Sequence, residues 1–402
     1  MNNLIKAKYL FNERNDLVSD KVFKPLSVTQ NGIVPRLSNV ALSKVDDNRK
    51  KVCKDDIVLN SRSARRGSSG VSVYEGCVSG VNHVIYSDKI LPKFSHYFIK
   101  SKYFMDQYYI HGKGIHDDIW GTRIDDLLSI KIPHYDEKKQ LSIIKNIENF
   151  ENIILKKKNT SLQKINLLKK LLKSTINEKL FGKTSDLKFK ENILEFKLDS
   201  KISNWSKKRL NFLGNFLKGR GLDKSKLTEK GVPCILYGEI YSKYNIKFDE
   251  ALSFTDEVNK ETSEIVFKND ILMTASGETS EEIGKAIVYT GEVPILAGGD
   301  VIIFRPKKDI ELNSIFLSYF LNSLYGIFQK EVYAKGYITF HIYEAQLQNL
   351  FCFYPSLEEQ NKIIEELNFY YQNINKMIEL ETSKLMLYDE IVKNYISDYF
   401  EY

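Results

Sequence analysis

The strongest constraint on this 402-residue chain is that it repeats itself at a distance of about 220 residues. Val52-Cys53-Lys54-Asp55-Asp56-Ile57-Val58-Leu59 lies over Val266-Phe267-Lys268-Asn269-Asp270-Ile271-Leu272-Met273 at an offset of 214, and each reads as a turn feeding a strand. Gly80-Val81-Asn82-His83-Val84-Ile85 lies over Gly299-Asp300-Val301-Ile302-Ile303-Phe304 at 219. Lys113-Gly114 matches Lys335-Gly336 and Pro133 matches Pro355, both at 222, and Gln140-Leu141-Ser142-Ile143-Ile144 lies over Gln360-Asn361-Lys362-Ile363-Ile364 at 220. Five collinear matches require two similar halves.

Each half opens with a Gly-punctuated, strand-rich region and closes with a long stretch without Gly or Pro. The boundaries fall at residues 1–131, 132–182, 183–352 and 353–402. In the last of these Leu367, Tyr371, Ile374, Ile378, Glu381, Leu385, Tyr388, Val392, Tyr395 and Tyr399 alternate steps of four and three, a heptad seam broken once at Glu381. Its counterpart carries Ile147, Phe150, Ile154, Leu162, Ile165, Leu168, Leu172 and Ile176, interrupted near Lys156-Lys157-Lys158. Ser356 with Glu359 after Pro355 predicts the start of the second helix, and Gly182 predicts the end of the first. Residues 132–182 hold 11 Lys/Arg against 5 Asp/Glu, whereas 353–402 hold 4 against 10, so the helices should pair with each other rather than with copies of themselves. Left unpaired, either seam would be a long exposed apolar patch. The predicted fold is mixed α+β: two similar lobes separated by two long antiparallel coiled-coil helices, in a pseudo-twofold arrangement.

Composition excludes several classes. Hydrophobic residues at 43% and charged residues at 28% are those of a folded globular chain, not a disordered or membrane one. Four scattered cysteines without a CxxC pair indicate neither a disulfide framework nor a zinc cluster and fit a reducing cytoplasm. No run of 18 apolar residues occurs, the N-terminus lacks signal-peptide features, and the most apolar window, residues 310–328, reads as one buried helix. Catalytic motifs are missing. Gly182-Lys183-Thr184 has Asn177 where a phosphate-binding loop needs Gly, no HExxH, GxSxG or GxGxxG is found, and the six histidines lack metal-ligand spacing. The pairs Asp55-Asp56, Asp117-Asp118 and Asp125-Asp126 read as caps or solvated turns. This chain is therefore expected to bind rather than to catalyse, with no metal of its own.

Residues 1–131 hold 21 Lys/Arg against 14 Asp/Glu. Within them Ser61-Arg62-Ser63-Ala64-Arg65-Arg66-Gly67-Ser68-Ser69-Gly70 is a Gly/Ser-rich loop with three arginines directly after a strand, suited to phosphate contacts or to guanine edges, and equally readable as a solubilising loop. The same place in the second half, Thr274-Ala275-Ser276-Gly277-Glu278-Thr279-Ser280-Glu281-Glu282, is polar but acidic, so one scaffold presents two different surfaces. Glycine-flanked basic and aromatic segments complete the candidate DNA contacts, which are Arg36, Asn60, Arg62, Arg65, Arg66, Lys113, His116, Lys218, Arg220, Thr274, Ser276, Lys335, Tyr337, Thr339 and His341.

Two variable lobes, each followed by a long helix introduced by Pro355-Ser356-Leu357-Glu358-Glu359-Gln360 or the looser 133–140, resemble the specificity subunit of type I restriction-modification enzymes. Phe11-Asn12-Glu13-Arg14-Asn15, residues 26–36 and 55–61, and Trp205-Ser206-Lys207-Lys208-Arg209-Leu210 with Gly214 are similar to recurring segments of that family. The Trp-x4-Leu opening has no counterpart before residue 10, so either this edge of the first lobe packs less well or the start is misplaced. The resemblance implies two target-recognition domains, each reading half of a bipartite DNA site, and conserved spacer helices that dock two modification (methyltransferase) subunits, joined by restriction subunits. S-adenosylmethionine, ATP and Mg would then belong to those partners. The rival reading is a non-catalytic coiled-coil scaffold that joins two protein-binding lobes.

Overall fold

The computed structural model describes residues 4–37, 48–114, 121–182, 204–279, 283–336 and 339–400. His116, Tyr337, Asp117-Asp118 and Glu281-Glu282 lie outside them. The chain forms two compact units: Met1–Gln163 with Leu380–Tyr402, and Lys164–Glu379. Both are mixed α and β, and the long helices Glu137–Phe181 and Leu357–Asp398 contribute a part of themselves to each.

The first unit is built on a four-stranded sheet in the order Asn12–Glu13, Asn82–Tyr86, Ile57–Asn60, Ser69–Val71, beside a three-stranded sheet and the hairpin Leu26–Thr29/Gly32–Pro35. Two helices, Pro92–Lys100 and Lys102–Ile110, pack on it. The second unit repeats the central antiparallel pair as Val301–Pro306 against Ile271–Thr274, enlarges that sheet to five strands and adds a second five-stranded sheet. Val301 faces Thr274 just as Asn82 faces Asn60, so the repeat seen in sequence is a repeat of strand register.

The matched turns have a common cause. Asp55 and Asn269 both take a left-handed backbone (φ 69° and 72°), which short polar side chains tolerate. The next residue in each, Asp56 or Asp270, is buried and accepts the backbone N–H of Cys53 or Phe267 three positions back. Each carboxylate is then neutralised by an arginine from a different place in the fold, Arg14 at 2.6 Å and Arg305 at 2.7 Å. The partners are not equivalent in the repeat, but the electrostatic requirement of a buried carboxylate is the same.

The matched glutamines have a common cause too. Gln140 accepts the N–H of Leu91 (2.8 Å) and donates to the carbonyls of Lys89 and Tyr135. Gln360 accepts the N–H of Asn313 (2.8 Å) and donates to the carbonyls of Glu311 and Pro355. Leu91 and Asn313 are the N-cap residues of Pro92–Lys100 and Ser314–Leu321, so each long helix grips a helix of the lobe before it at that helix's exposed donors. The next helix, Lys102–Ile110 or Leu324–Tyr333, is gripped by the other long helix. Ser397 Oγ accepts the N–H of Lys102 (3.0 Å), and Asn177 Oδ1 accepts that of Leu324 (2.9 Å).

The cores follow that crossing. In the first unit Ile143, Ile144 and Ile147 pack with Ile396 and Phe400; in the second Ile363, Ile364 and Leu367 pack with Ile176, Leu180 and Phe181. The helices run antiparallel within both units, with Phe150 stacked on Tyr395 (3.8 Å) and Lys158 bonded to Asp389 in one, and Lys179 bonded to Glu366 at 2.7 Å in the other. Of the expected seam residues, Ile147, Ile154, Ile165, Leu367 and Ile374 are buried, and Leu168, Leu172, Ile378, Leu385 and Val392 are half-buried. Leu162 is exposed. The seam instead passes through half-buried Lys158 and buried Ser161, whose partner in the repeat is buried Glu381, so a polar position interrupts both seams at one place.

Three further expectations meet the structure. The second long helix begins at Leu357 with Ser356 Oγ accepting the N–H of Glu359, and the first ends at Phe181 before Gly182 at φ +81°. The window 310–328 is not one helix. It breaks between Ser314–Leu321 and Leu324–Tyr333, because Ser323 Oγ accepts the N–H of Gly326 and starts a new helix. The N-terminal edge is well packed despite lacking the Trp-x4-Leu opening. Leu4–Lys6 pairs with Lys131–Pro133 as Ser206–Arg209 pairs with Phe351–Tyr354, and Ala7, Leu10 and Phe11 are buried.

Two outcomes are expected. Gln140→Leu strips partners from one donor and two acceptors, about 1–3 kcal/mol for each that water does not reach, and should lower the urea midpoint with faster hydrogen exchange in residues 92–110. Phe400→Ala, about 3–5 kcal/mol for a fully buried ring, should destabilise the first unit and leave exchange in residues 214–306 unchanged, although residue 400 follows the second lobe in the chain.

Candidate nucleic-acid interface

The loops after Ile57–Asn60 and Ile271–Thr274 leave the repeated strand pair at the same end. In the first unit Asn60 Oδ1 accepts the N–H groups of Arg62 (3.0 Å) and Ser63 (3.1 Å), an Asx turn that launches the arginine loop. A short 3-10 turn, Ala64–Arg66, follows and closes on Gly67 at φ +90°. Arg62 and Arg66 are exposed, and the Arg65 guanidinium lies over the Tyr109 ring at 5.7 Å. Lys113 joins them: it bridges Gly121, and the next residue, Thr122, donates its N–H to Ser61 O (3.0 Å). Arg36 is exposed but lies past the strand Gly32–Pro35, at the end away from the hairpin turn.

The second unit uses the same joint. Ile342 donates its N–H to Ala275 O (2.9 Å), and Ser276–Gly277, Phe340–His341 and Lys335–Gly336 form a small three-stranded sheet. Lys335, Thr339 and His341 are therefore gathered at one exposed place, with His341 Nδ1 3.0 Å from Ser276 Oγ. Thr274 is fully buried. Its hydroxyl bonds the Tyr241 hydroxyl (2.7 Å) and accepts the Lys285 N–H, so it shapes the loop from inside rather than presenting a contact. Tyr241 also donates to Ser276 O, and Lys285 Nζ donates to the carbonyls of Tyr241 and Tyr244. Nothing in the sequence marks Tyr241, whose partners Thr274 and Ser276 lie more than 30 residues away, or Lys285, whose ammonium bonds carbonyls more than 40 residues away. Lys218 is exposed on the strand Gly214–Lys218, two strands from Met273, and exposed Arg220 lies 3.6 Å from Glu264.

Each loop also rests on a lysine whose ammonium bonds backbone carbonyls. Lys100 Nζ donates to Gly67 O (2.7 Å) and Gln30 O (2.8 Å), and burial pulls its ammonium down to about 8. Lys330, fully buried, donates to Gly284 O (2.7 Å), and burial pulls it to about 7.

Residues 202–384 match the family model described as type I restriction modification DNA specificity domain. These residues are thus similar to a type I restriction modification DNA specificity domain. The fold agrees along the whole length. A chain from a structure described as "Structural basis underlying complex assembly and conformational transition of the type I R-M system" is similar at 13% identity with a TM-score of 0.64, covering 98% of this chain and 96% of that one. The HsdS subunit from Thermoanaerobacter tengcongensis is 14% identical with a TM-score of 0.49, covering 99% and 96%. No curated protein matches in sequence.

A pH effect should be measurable in the second unit. Unfolding returns Lys330 to its ordinary value of 10.5, so between about 7 and 10.5 the unfolded chain binds more protons and stability rises with pH. Lys330→Met should flatten that rise, read as the change in thermal midpoint between about pH 7 and 9 for the two proteins.

Proposed function

We propose that the chain is the specificity subunit of a type I restriction-modification complex, in which each unit reads one half of a bipartite, asymmetric double-stranded DNA site. The observation that carries this reading is the repeated joint: one scaffold holds an arginine loop with Lys113 in one unit and exposed Lys335, Thr339 and His341 in the other, where Ser276, expected as a contact, is buried beneath His341. Equal frames with unequal side chains suit two different half-sites. On this reading residues 1–131 and 183–352 are the recognition domains, and 132–182 and 353–402 are spacers.

The long helices support docking of two modification (methyltransferase) subunits. They leave Ile153, Leu155, Leu167 and Leu171 exposed on one, and Phe369, Met377, Leu380 and Met386 on the other, away from their shared seam. Restriction subunits would join the same assembly. The chain's part is binding, and S-adenosylmethionine, ATP and Mg are assigned to the partners. No helix among the described residues is long and apolar enough to cross a membrane, and the proposed place of action is the cytoplasm.

Replacing Arg62, Arg65 and Arg66 with Ala should weaken DNA binding by the assembled methyltransferase complex and reduce its log–log salt slope by about one per lost phosphate contact. Methylome sequencing should show relaxed discrimination in one half-site only. Unchanged affinity and slope would favour the scaffold reading, in which the lobes bind proteins.

A further inference from the structure

We propose that Lys100 is a positioning residue for DNA reading by the first unit: it locks the arginine loop to the neighbouring hairpin and refers both to the long helices. The inference rests on the assignment of that loop to DNA. Its starting point is a gap in the backbone framework. The hairpin Leu26–Thr29/Gly32–Pro35 is a sheet of its own, and Ser69–Val71, which follows the arginine loop, pairs only with Ile57–Asn60 among the described residues. The two segments touch closely, since a Cβ at Gly70 would stand 2.9 Å from Gly32 Cα, yet no strand pairing joins them.

Lys100 spans that junction. One ammonium donates to Gln30 O, in the two-residue turn between Thr29 and Gly32, and to Gly67 O, the residue that closes the turn Ala64–Arg66. A single side chain thus fixes the tip of the hairpin and the end of the arginine loop at 2.8 and 2.7 Å. Its other end is equally well referenced. Lys100 is the last residue of Pro92–Lys100, whose start is held by Gln140, and it precedes Ser101, which caps a helix whose Lys102 N–H is held by Ser397. The arginine loop is therefore tied through one flexible-stemmed cation to an elbow that both long helices grip.

The two units meet this demand with different residues. At the place equivalent to Lys100 the second unit has Asn322, which binds the N–H and C=O of Ala286 in the sheet. There the grip on the base of the loop comes from Lys330, one helix further on, through Gly284 O. Two lysines from non-equivalent positions donating to loop carbonyls is the pattern expected when the loop is what must be held.

The test compares Lys100→Met, of similar length but with no donor, with Lys100→Arg, which keeps charge and donors, both assembled with methyltransferase subunits. Lys100→Met should speed hydrogen exchange in residues 29–33 and 61–70 while residues 92–110 stay protected. DNA affinity should fall about tenfold, and discrimination should be lost at the half-site that the Arg62/Arg65/Arg66→Ala variant affects. Lys100→Arg should restore most of both effects, which a purely packing role would not produce. If Lys100→Met does not fold, Lys100→Leu, which also lacks a donor, gives the same reading with a smaller side chain. Wild-type affinity and half-site discrimination in Lys100→Met, where the arginine variant loses them, would overturn the positioning role and leave the DNA assignment of the loop intact. Wild-type behaviour in both variants would overturn both.

Discussion

A buried glutamine at the head of each long helix is the joint on which this architecture hangs. A helix N-terminus offers backbone N–H groups that nothing within the helix can satisfy, and burial makes an unsatisfied one costly. Gln140 and Gln360 solve that problem for Pro92–Lys100 and Ser314–Leu321, and in doing so fix the angle at which lobe and long helix meet. A primary amide suits the place because it accepts one N–H and donates to two carbonyls while carrying no charge. A carboxylate of the same length would bring two acceptors into a site that needs donors.

The crossed grip of Ser397 and Asn177 has a different consequence for how the halves should be regarded. A lobe plus the helix that follows it is a unit of sequence, but it is not a unit of packing. Each core is finished by the tail of the long helix from the other half, through Ile396 and Phe400 in one case and Ile176, Leu180 and Phe181 in the other. The loops can then differ between the units, because the residues that hold the frame lie in the long helices and at the helix caps. The loops after Asn60 and Thr274 differ in charge, length and hydrogen bonding while their flanking turns stay alike.

Much of this was legible in the sequence, and the limits have physical reasons. Offsets of 214 to 222 marked the turns, the strand register and the glutamines, because those positions answer to backbone geometry that both halves share. The heptad rule found the second seam in full, since steps of four and three fix one face of a helix. It misplaced Leu162 in the first, where a hydrophobic residue sits one position beyond the buried Ser161 and periodicity alone favours the apolar side chain. Apolar content likewise hid the break at Asn322-Ser323, which is set by one serine cap. Thr274 was expected at the surface because polar residues usually lie there, whereas its hydroxyl is consumed by Tyr241 and Lys285 inside the fold. Lys100, Tyr241 and the crossed caps left no trace, because each acts on backbone atoms or hydroxyls distant in sequence, and such partners have no composition to read.

Phe400 and Ile396 also set a timetable. The chain emerges from the ribosome N-terminus first, and the first lobe is complete in sequence long before the residues that close its core exist. At about 5–20 residues per second the interval between the first long helix and the end of the second is roughly ten to forty seconds. Throughout it Phe94, Phe98, Ile143 and Ile147 lack their final neighbours. A nascent chain of this design carries an open apolar surface until its last turn of helix is made, so its dependence on chaperones should be concentrated in the N-terminal lobe rather than spread along its length.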